Sequence, residues 1–203
     1  MLGVLVEKQS TVPDTYPMSL NALVGGSNQK TARHPVIEAT DAEVLTALDG
    51  LKSLSLVFEG SSSRVVKFEH NMGRVLLVPG QSVALLAVLM LRGPQTAAEL
   101  RLNCERLHRF ADISSVEGFL DELAAKAVPM VVKLPRATGE REARWAQLLC
   151  GEVAMPPARA EAADDSVSAG ELAAIKAEQT RLAAEVAALR EQVQHMAREL
   201  GIG

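Results

Sequence analysis

Aromatic residues are scarce in this chain of 203 residues, where Phe, Trp and Tyr together make up 3%. Proteins that bind single-stranded nucleic acid stack its bases on aromatic side chains, so this composition argues against that class. Cysteine is also rare, and Cys104 and Cys150 lie far apart, outside any Cys-x-x-Cys or Cys/His pattern. The sequence therefore predicts two free thiols, with neither a disulfide framework nor a zinc site.

Long apolar runs are absent as well. The longest extends over nine residues from Val83 to Leu91, whereas a membrane-spanning helix needs about 20. The N-terminal stretch Met1–Lys8 has neither the basic leader nor the apolar region of a signal peptide. We therefore expect a cytoplasmic protein that does not enter the membrane.

Positive charge is not in excess over the folded body as a whole. The net charge is −4, and five Lys/Arg and nine Asp/Glu lie from Gly151 onward, which leaves 16 of each sign in residues 1–150. A body that is electrically neutral differs from that of a strongly basic nucleic-acid-binding protein.

Patterns that indicate catalysis are missing too. None of His34, His70, His108 and His195 is followed by a second His or Cys at metal-ligand spacing. No Gly-rich phosphate loop follows a strand, and no Gly-x-Ser-x-Gly motif occurs. We therefore expect a protein that is not an enzyme, with no catalytic residues, no metal site and no cofactor.

Two stretches of the chain follow the same order of elements. Leu2–Lys8 resembles Leu86–Arg92, and each is followed by a short helix, which begins at Ser19 in one copy and at Thr96 in the other. A third helix follows in both copies, with matching apolar positions that predict one buried stripe. These positions are Val44, Leu48 and Leu51 in the first copy and Val116, Leu120 and Leu123 in the second.

The third helices are bounded by clear signals. Thr40 with Glu43, and Ser114 with Glu117, have the spacing of a capping box, in which a hydroxyl and a carboxylate satisfy free amides at a helix start. After each third helix, two strand-like runs flank a polar tip, which predicts a hairpin. Three helices followed by a hairpin is the order of a winged helix.

The sequence thus predicts a mainly α fold with small β-hairpins, of the α+β class. Winged-helix module 1 is expected over residues 1–72 and module 2 over residues 73–151. Residues 152–167 contain Pro156-Pro157 and a run of alanines, which predicts a flexible linker. Residues 168–200 are expected to form a C-terminal coiled coil.

The coiled coil is predicted from an unbroken heptad with apolar spacing that alternates between three and four residues. Such a narrow seam favours a homodimer; the alternative is a helix that packs back on its own domain. The expected dimerisation residues are Leu172, Ile175, Gln179, Leu182, Val186, Leu189, Val193, Met196 and Leu200.

Basic residues lie in the predicted loops and hairpins, whereas the exposed positions of the third helices are net acidic. A DNA groove lined with phosphates would repel such helices, and Arg or Asn suited to reading base edges is missing from them. The remaining candidates for contacts with nucleic acid or with a partner are Lys30, Arg33, His34, Arg64, Lys67, Arg101, Arg106, Arg136, Arg141 and Arg144.

Several segments resemble the YceH family of bacterial proteins, and the resemblance extends from residue 1 to about residue 151. That resemblance implies tandem winged helices and carries no assigned activity, and the C-terminal helix lies beyond the common body of the family. The matching segments are Leu5–Gln9, Thr11–Leu23, Ser27–Val36, Arg64–His70, Leu91–Arg101, Leu134–Arg136 and Arg141–Arg144.

Two functions remain open from the sequence. Acidic third helices and a neutral body favour a dimeric interaction or adaptor protein, which binds an unknown protein partner in a DNA-associated or regulatory process. The alternative is a transcriptional regulator that binds DNA directly, although weakly, through its loops and wings. A salt-dependent shift assay on duplex DNA distinguishes the two.

Overall fold

Capped helices and short alternating strands make up the part of the chain that the computed structural model describes, residues 1–60, 65–136, 140–151, 153 and 186. The helices of this part are α1 (Leu2–Thr11), α2 (Leu20–Ser27), α3 (Asp41–Ser53), α4 (Met72–Leu76), α5 (Gly80–Arg92), α6 (Ala97–Asn103) and α7 (Ile113–Ala124). Its strands are β1 (Met18–Ser19), β2 (Val57–Gly60), β3 (Lys67–His70), β4 (Val131–Lys133) and β5 (Trp145–Gln147).

The strands form two small antiparallel sheets. In the first, the order is β1-β3-β2, with Met18 opposite Phe68 and Val57 opposite His70. In the second, β4 pairs with β5, and Val131 lies opposite Gln147. The predicted α+β class, in which helices dominate and the sheets are small, is confirmed.

An isolated bridge gives the second sheet a counterpart of β1. The amide of Gln95 donates to the carbonyl of Trp145 at 3.0 Å, and the amide of Trp145 donates to the carbonyl of Gln95 at 2.7 Å. The order helix, extended segment, helix, helix and hairpin therefore occurs twice in the described residues.

The first helices of the two copies, α1 and α5, pack against each other. Gly3 permits this close approach, because a Cβ atom there would lie 3.1 Å from Leu91 Cγ and 3.2 Å from the carbonyl oxygen of Ala87. Leu5 and Leu86 are fully buried in the resulting core; burial of such a side chain stabilises a fold by about 1.5 to 3 kcal/mol. Met1–Ala158 form one compact unit, which contains both predicted modules, and Arg159–Gly203 form a second.

The buried stripe predicted for the third helices is present in both copies. Val44 and Leu48 of α3 are fully buried, and so are Val116 and Leu120 of α7. At the third position of the stripe Leu123 is buried, whereas its counterpart Leu51 is half-buried.

The predicted start of α7 is wrong by two residues. The N-cap is Asp112, whose carboxylate accepts from the amide of Ser115 at 2.7 Å, so Ser114 and Glu117 do not form the expected capping box. Aspartate is at least as good an N-cap as serine, and here it satisfies the amide of the residue after Ser114.

A short helix between the two copies, α4, was not predicted. It has five residues and no side-chain cap, so neither periodicity nor capping signals it. It ends at Leu77, which adopts a left-handed conformation and is 80% exposed.

The predicted linker over residues 152–167 and coiled coil over residues 168–200 lie outside the described residues, apart from Val153 and Val186. Val186 is helical, and its side chain is 47% exposed in the single chain. The dimerisation seam therefore stays a prediction. Among the described helices, none combines the length and the apolarity needed to cross a membrane.

Candidate functional site

Helix α3 presents carboxylates to the solvent. Thr40 and Glu43 close the predicted capping box: the Thr40 amide donates to Glu43 Oε2 at 2.8 Å, and the Glu43 amide donates to Thr40 Oγ1 at 3.3 Å. The Thr40 amide and the Thr40 hydroxyl, which both donate to the carboxylate at 2.8 Å, hold the pKa of Glu43 below its ordinary value. Because Val44 and Leu48 face the core, Asp41 and Glu43 remain exposed on the outer face.

The single basic residue of α3 is neutralised by its neighbours. Lys52 Nζ lies 2.8 Å from Asp49 Oδ1 and 2.9 Å from Glu59 Oε2 of strand β2. These two contacts raise the pKa of Lys52 above its ordinary value. The outer surface of α3 is therefore net negative, with the side chain of Leu45 42% exposed among the acids.

Helix α7 is also acidic on its outer side. Asp121 and Glu122 are exposed and Glu117 is half-buried. Lys126, just after the helix, donates to the carbonyl of Leu77 at 3.2 Å, which directs its charge away from the outer face of α7.

A cleft of about 360 Å³ lies between the start of α7 and the second hairpin. We call it the basic cleft because Lys133, Arg136 and Arg141 line it. Its apolar lining is formed by Ala97, Ile113, Ala143 and Trp145, and its acidic lining by Glu117 and Glu142.

The three cations of the basic cleft differ in their contacts with the rest of the protein. Lys133 Nζ lies 5.3 Å from the centre of the Trp145 ring, within range of a cation–π interaction. Arg136 and Arg141 are exposed, and neither forms an ion pair with any residue in the described ranges. Lys133 belongs to the cleft although sequence reasoning did not select it; its position opposite the single tryptophan in the hairpin was the available signal.

Arg144 lies beside the cleft and is bound to the protein itself. Its Nη1 is 2.8 Å from Glu99 Oε2, and its Nε is 3.0 Å from Glu140 Oε1. The guanidinium thus ties the second hairpin to α6, a structural role that leaves little of its charge for a ligand.

Arg33 is the clearest departure from the predicted basic surface, because it is buried. Its guanidinium donates to both carboxylate oxygens of Glu7, at 3.1 and 2.6 Å, and to the carbonyl of Gly26 at 2.8 Å. Its sequence neighbours Lys30 and His34 are exposed. Of these three predicted contact residues, two therefore lie on the surface.

The remaining predicted contact residues are scattered. Lys67 is half-buried in β3, and Arg106 is exposed after α6. Arg101 is half-buried and donates to the carbonyl of Ala111 at 3.1 Å, while its Nε is buried without a hydrogen-bond partner. Arg64 lies outside the described residues. The structure thus brings Arg136 and Arg141 together and leaves the other sites separate.

A second, apolar cleft of about 640 Å³ lies where α1, α3 and α5 meet the end of the second hairpin. Leu51, Leu54, Met90 and Leu149 are among its lining residues, and the side chain of Leu54 is 62% exposed. Apolar surface of this kind is typical of protein contacts.

Reactive groups are not assembled in the described ranges. Burial raises the pKa of the Cys104 thiol to about 12, and the thiol points to the carbonyl of Ala84 at 3.7 Å. Burial lowers the pKa of His70, whose Nε2 lies 2.7 Å from Gln9 Oε1. Within the part of the chain that the structure describes, no three His, Cys, Asp or Glu side chains come close enough together to hold a metal ion.

These features define an α+β protein with two acidic helix surfaces, a basic cleft and an apolar cleft. Residues 1–140 match the model of the family described as "Protein of unknown function, DUF480". The chain therefore belongs to this family.

Full-length relatives support the same assignment. The chain is 66% identical over 203 residues to a UPF0502 protein of Burkholderia pseudomallei (strain 668), with 100% of this chain and 87% of the relative covered. It is 66% identical over 206 residues to a UPF0502 protein of Leptothrix cholodnii, covering 100% of this chain and 93% of the relative. For a UPF0502 protein of Burkholderia cenocepacia, the identity is 67% over 205 residues, with 100% and 87% covered.

Membership of an uncharacterised bacterial family, expected from the sequence, is confirmed. The family model ends at residue 140, before the predicted coiled coil. The matches to the UPF0502 proteins nevertheless cover the whole chain, so the C-terminal segment is part of what it shares with them.

Proposed function

We propose that this chain is a cytoplasmic, non-enzymatic adaptor protein built from tandem winged helices. The repeated order of elements supports the winged-helix assignment. In the first copy, β1 pairs with the return strand β3 of the hairpin, and in the second copy Gln95 takes the place of β1 beside β5. Short pairing of this kind joins the helices to the wing. Free thiols at Cys104 and Cys150 are compatible with a reducing compartment.

The observation that carries the adaptor function is the charge of α3. In DNA-binding proteins of this architecture, the third helix enters the major groove. Here Asp41 and Glu43 are exposed on that helix, and Lys52 is held by Asp49 and Glu59. A phosphate-lined groove would repel this surface, whereas a basic or apolar protein surface would be attracted to it.

The tail gives the adaptor its second property, self-association. Valine at a positions and leucine at d positions favour two parallel strands. In a parallel coiled coil of this register, Glu171 would face Lys176 and Glu185 would face Arg190 of the other helix, and these pairs would attract each other. A homodimer would present four third helices and so bind a partner with higher avidity than one chain.

Direct DNA binding through loops and wings is the second candidate. It is favoured by Arg136 and Arg141 of the second wing, which are exposed and form no ion pair with a described residue, and by the exposed Lys30 and Arg106 elsewhere. Such contacts would reach backbone phosphates and leave the base edges unread. Affinity of this origin is weak, independent of sequence and strongly reduced by salt.

A shift assay on duplex DNA across a salt series separates the two candidates. The adaptor predicts no shift, or a weak one that disappears in K30E/R136E/R141E and persists in the matched D49A/D121A variant. A specific operator, discriminated from random duplex and lost on Thr46→Ala, would contradict the adaptor and favour a regulator.

Capture of partner proteins tests the adaptor function directly. Proteins held by the full chain should remain bound after nuclease treatment and be lost in D41K/D49K, which reverses the charge of α3. The matched control is D14K/E105K, which reverses two exposed charges that lie on neither α3 nor α7. Capture that nuclease abolishes, or that both variants reduce equally, would argue against recognition through α3.

A further inference from the structure

We propose that the basic cleft of the second copy binds an acidic peptide segment that carries an apolar side chain, supplied by a partner protein. This inference rests on the proposed adaptor function and names the chemistry of one of its partners. It places the peptide between the N-terminal end of α7 and the hairpin β4–β5, where Lys133, Arg136 and Arg141 converge.

Charge complementarity is the first argument. Arg136 and Arg141 are exposed and form no ion pair with the residues that the structure describes, so both guanidinium groups are available. A guanidinium binds a carboxylate with two parallel hydrogen bonds, which gives direction as well as strength. Two arginines that line one cleft are therefore suited to two carboxylates of a single extended peptide.

The apolar lining is the second argument. Ile113, the first residue of α7, is 44% exposed although it lies inside a cleft, and Ala97 and Ala143 flank it. The Trp145 ring is buried below Lys133. A ligand that carries only negative charge would leave this apolar surface in contact with water, whereas a leucine or similar side chain would cover it.

The two acidic residues of the cleft decide between a peptide and nucleic acid. Glu117 and Glu142 lie among the cations, so an unbroken row of phosphates would bring negative charge onto both. A peptide can place its carboxylates at Arg136 and Arg141 and can donate its backbone amides to Glu117 or Glu142.

The first copy has no counterpart of Lys133, so the cations of the basic cleft distinguish the second copy from the first. Val57 and Val131 are equivalent buried residues that begin β2 and β4, and two positions later the first copy has Glu59 where the second has Lys133. Glu59 is paired with Lys52, whereas Lys133 lies over the Trp145 ring. At this position beside the third helix the two hairpins therefore carry opposite charge, and the second is the one suited to an acidic segment.

The experiment uses the full chain and the fluorescence of Trp145, the single tryptophan in the sequence. The probe is a short synthetic peptide with glutamates on both sides of one leucine. Saturable change in the emission, with calorimetry as an independent measure, is expected for this peptide. Replacing its glutamates with glutamines should weaken binding at least tenfold, and replacing its leucine with serine should weaken it severalfold.

Variants of the protein localise the binding. R136Q/R141Q should lose at least tenfold in affinity, and the matched control R74Q/R106Q, which removes two other exposed cations, should bind as the wild type does. No saturable binding at millimolar peptide, or equal loss in both variants, would overturn the proposal.

Duplex DNA serves as the competing ligand. Failure of the peptide with no DNA binding overturns the cleft proposal and leaves the adaptor function in place. DNA binding that R136Q/R141Q abolishes overturns the cleft proposal, because the cleft would then contact phosphates. It overturns the adaptor function as well only if a specific operator is discriminated from random duplex. Peptide binding that a tenfold excess of duplex does not displace supports the acidic-peptide assignment.

Discussion

Arg33 and Glu7 lie 26 residues apart in sequence and form a bidentate ion pair in the interior, with Nη1 to Oε1 at 3.1 Å and Nη2 to Oε2 at 2.6 Å. The side chains are 4% and 14% exposed. The same guanidinium binds the carbonyl of Gly26, so the pair fastens the loop after α2 to both α1 and α2. An arginine placed by sequence on a binding surface thus acts as an internal connector.

Loss of either partner should destabilise the protein strongly. Arg33→Ala leaves the Glu7 carboxylate without its main counterion, and Glu7→Gln leaves the buried Arg33 guanidinium without one. Breaking a buried pair in this way costs about 3 to 5 kcal/mol. Urea unfolding measures the loss. Lys30→Ala, which removes an exposed cation three residues away, should stay within about 0.5 kcal/mol of the wild type. Equal effects of Arg33→Ala and Lys30→Ala would contradict the internal role of Arg33.

The same pair gives the stability a pH dependence. Burial raises the pKa of Glu7, but the hydrogen bonds and charge of Arg33 outweigh burial, and the net pKa lies below its ordinary 4.5. The unfolded chain therefore binds the proton more readily, and the stability from Glu7 is complete above pH 4.5 and is lost as the pH falls through the folded pKa. Urea unfolding between pH 3 and 8 should show a steeper loss below pH 4.5 for the wild type than for Glu7→Gln.

His70 provides an internal reference for that measurement. Burial lowers its pKa from 6.5, so its contribution to stability declines as the pH falls through 6.5, in a higher window than that of Glu7. Glu7→Gln should leave this upper part of the profile unchanged. If Glu7→Gln alters the stability in both pH ranges, the substitution perturbs more than the ion pair.

Adjacent glycines in α2 offer a matched test of packing. A Cβ on Gly26 would lie 2.9 Å from Cγ1 of the buried Val4, whereas a Cβ on Gly25 would have no neighbour within 4 Å. Gly25→Ala should stabilise the helix by roughly 0.5 to 1 kcal/mol. Gly26→Ala should instead destabilise by about 1 to 3 kcal/mol, because the overpacked Val4 cannot move away. Urea midpoints that shift in the same direction would contradict this account of α1 and α2.

The start of α7 can be tested by exchanging two neighbouring candidates. Asp112→Ala removes the observed N-cap and should cost about 1 kcal/mol. Ser114→Ala, at the position that the sequence pattern favoured, should change the stability by no more than about 0.5 kcal/mol. The reverse order would mean that the helix begins at Ser114.

Deletion of residues 168–203 tests the predicted dimer. Sedimentation of the full chain at micromolar concentration should give a dimer, and the shortened chain should give a monomer. Leu182→Lys is the point variant for the same purpose, because it places a charge at a d position of the seam. A full-length monomer, or a dimer that survives the deletion, would contradict the coiled coil.

Local signals predicted much of the fold. Thr40 and Glu43 are three residues apart, and a capping box depends on nothing more distant than that, so α3 could be located from sequence. Val116 and Leu120 were found in the same way, since helical spacing alone places them on one face. The start of α7 was misplaced because Asp112 and Ser114 both have side chains suited to an N-cap. Which of them caps the helix depends on where the folded chain starts the first turn, and the local sequence does not show that.

Long-range contacts account for what the sequence did not reveal. Nothing near Arg33 indicates that Glu7 will bind it, because the two meet only once α1 and α2 are packed. The role of Lys133 depends on Trp145, which reaches it through strand pairing across the second hairpin. Arg136 and Arg141 could be predicted as exposed wing residues, but their convergence with Ile113 required the position of α7.

The packing of α1 on α5 gives the two copies a shared face. The same element of each copy covers the other, which is the form of a self-complementary interface between two subunits. Because this face lies between the copies, the outer helices α3 and α7 do not contribute to it. The surface charge of either copy can therefore be altered by substitution without disturbing the contact that holds the two together.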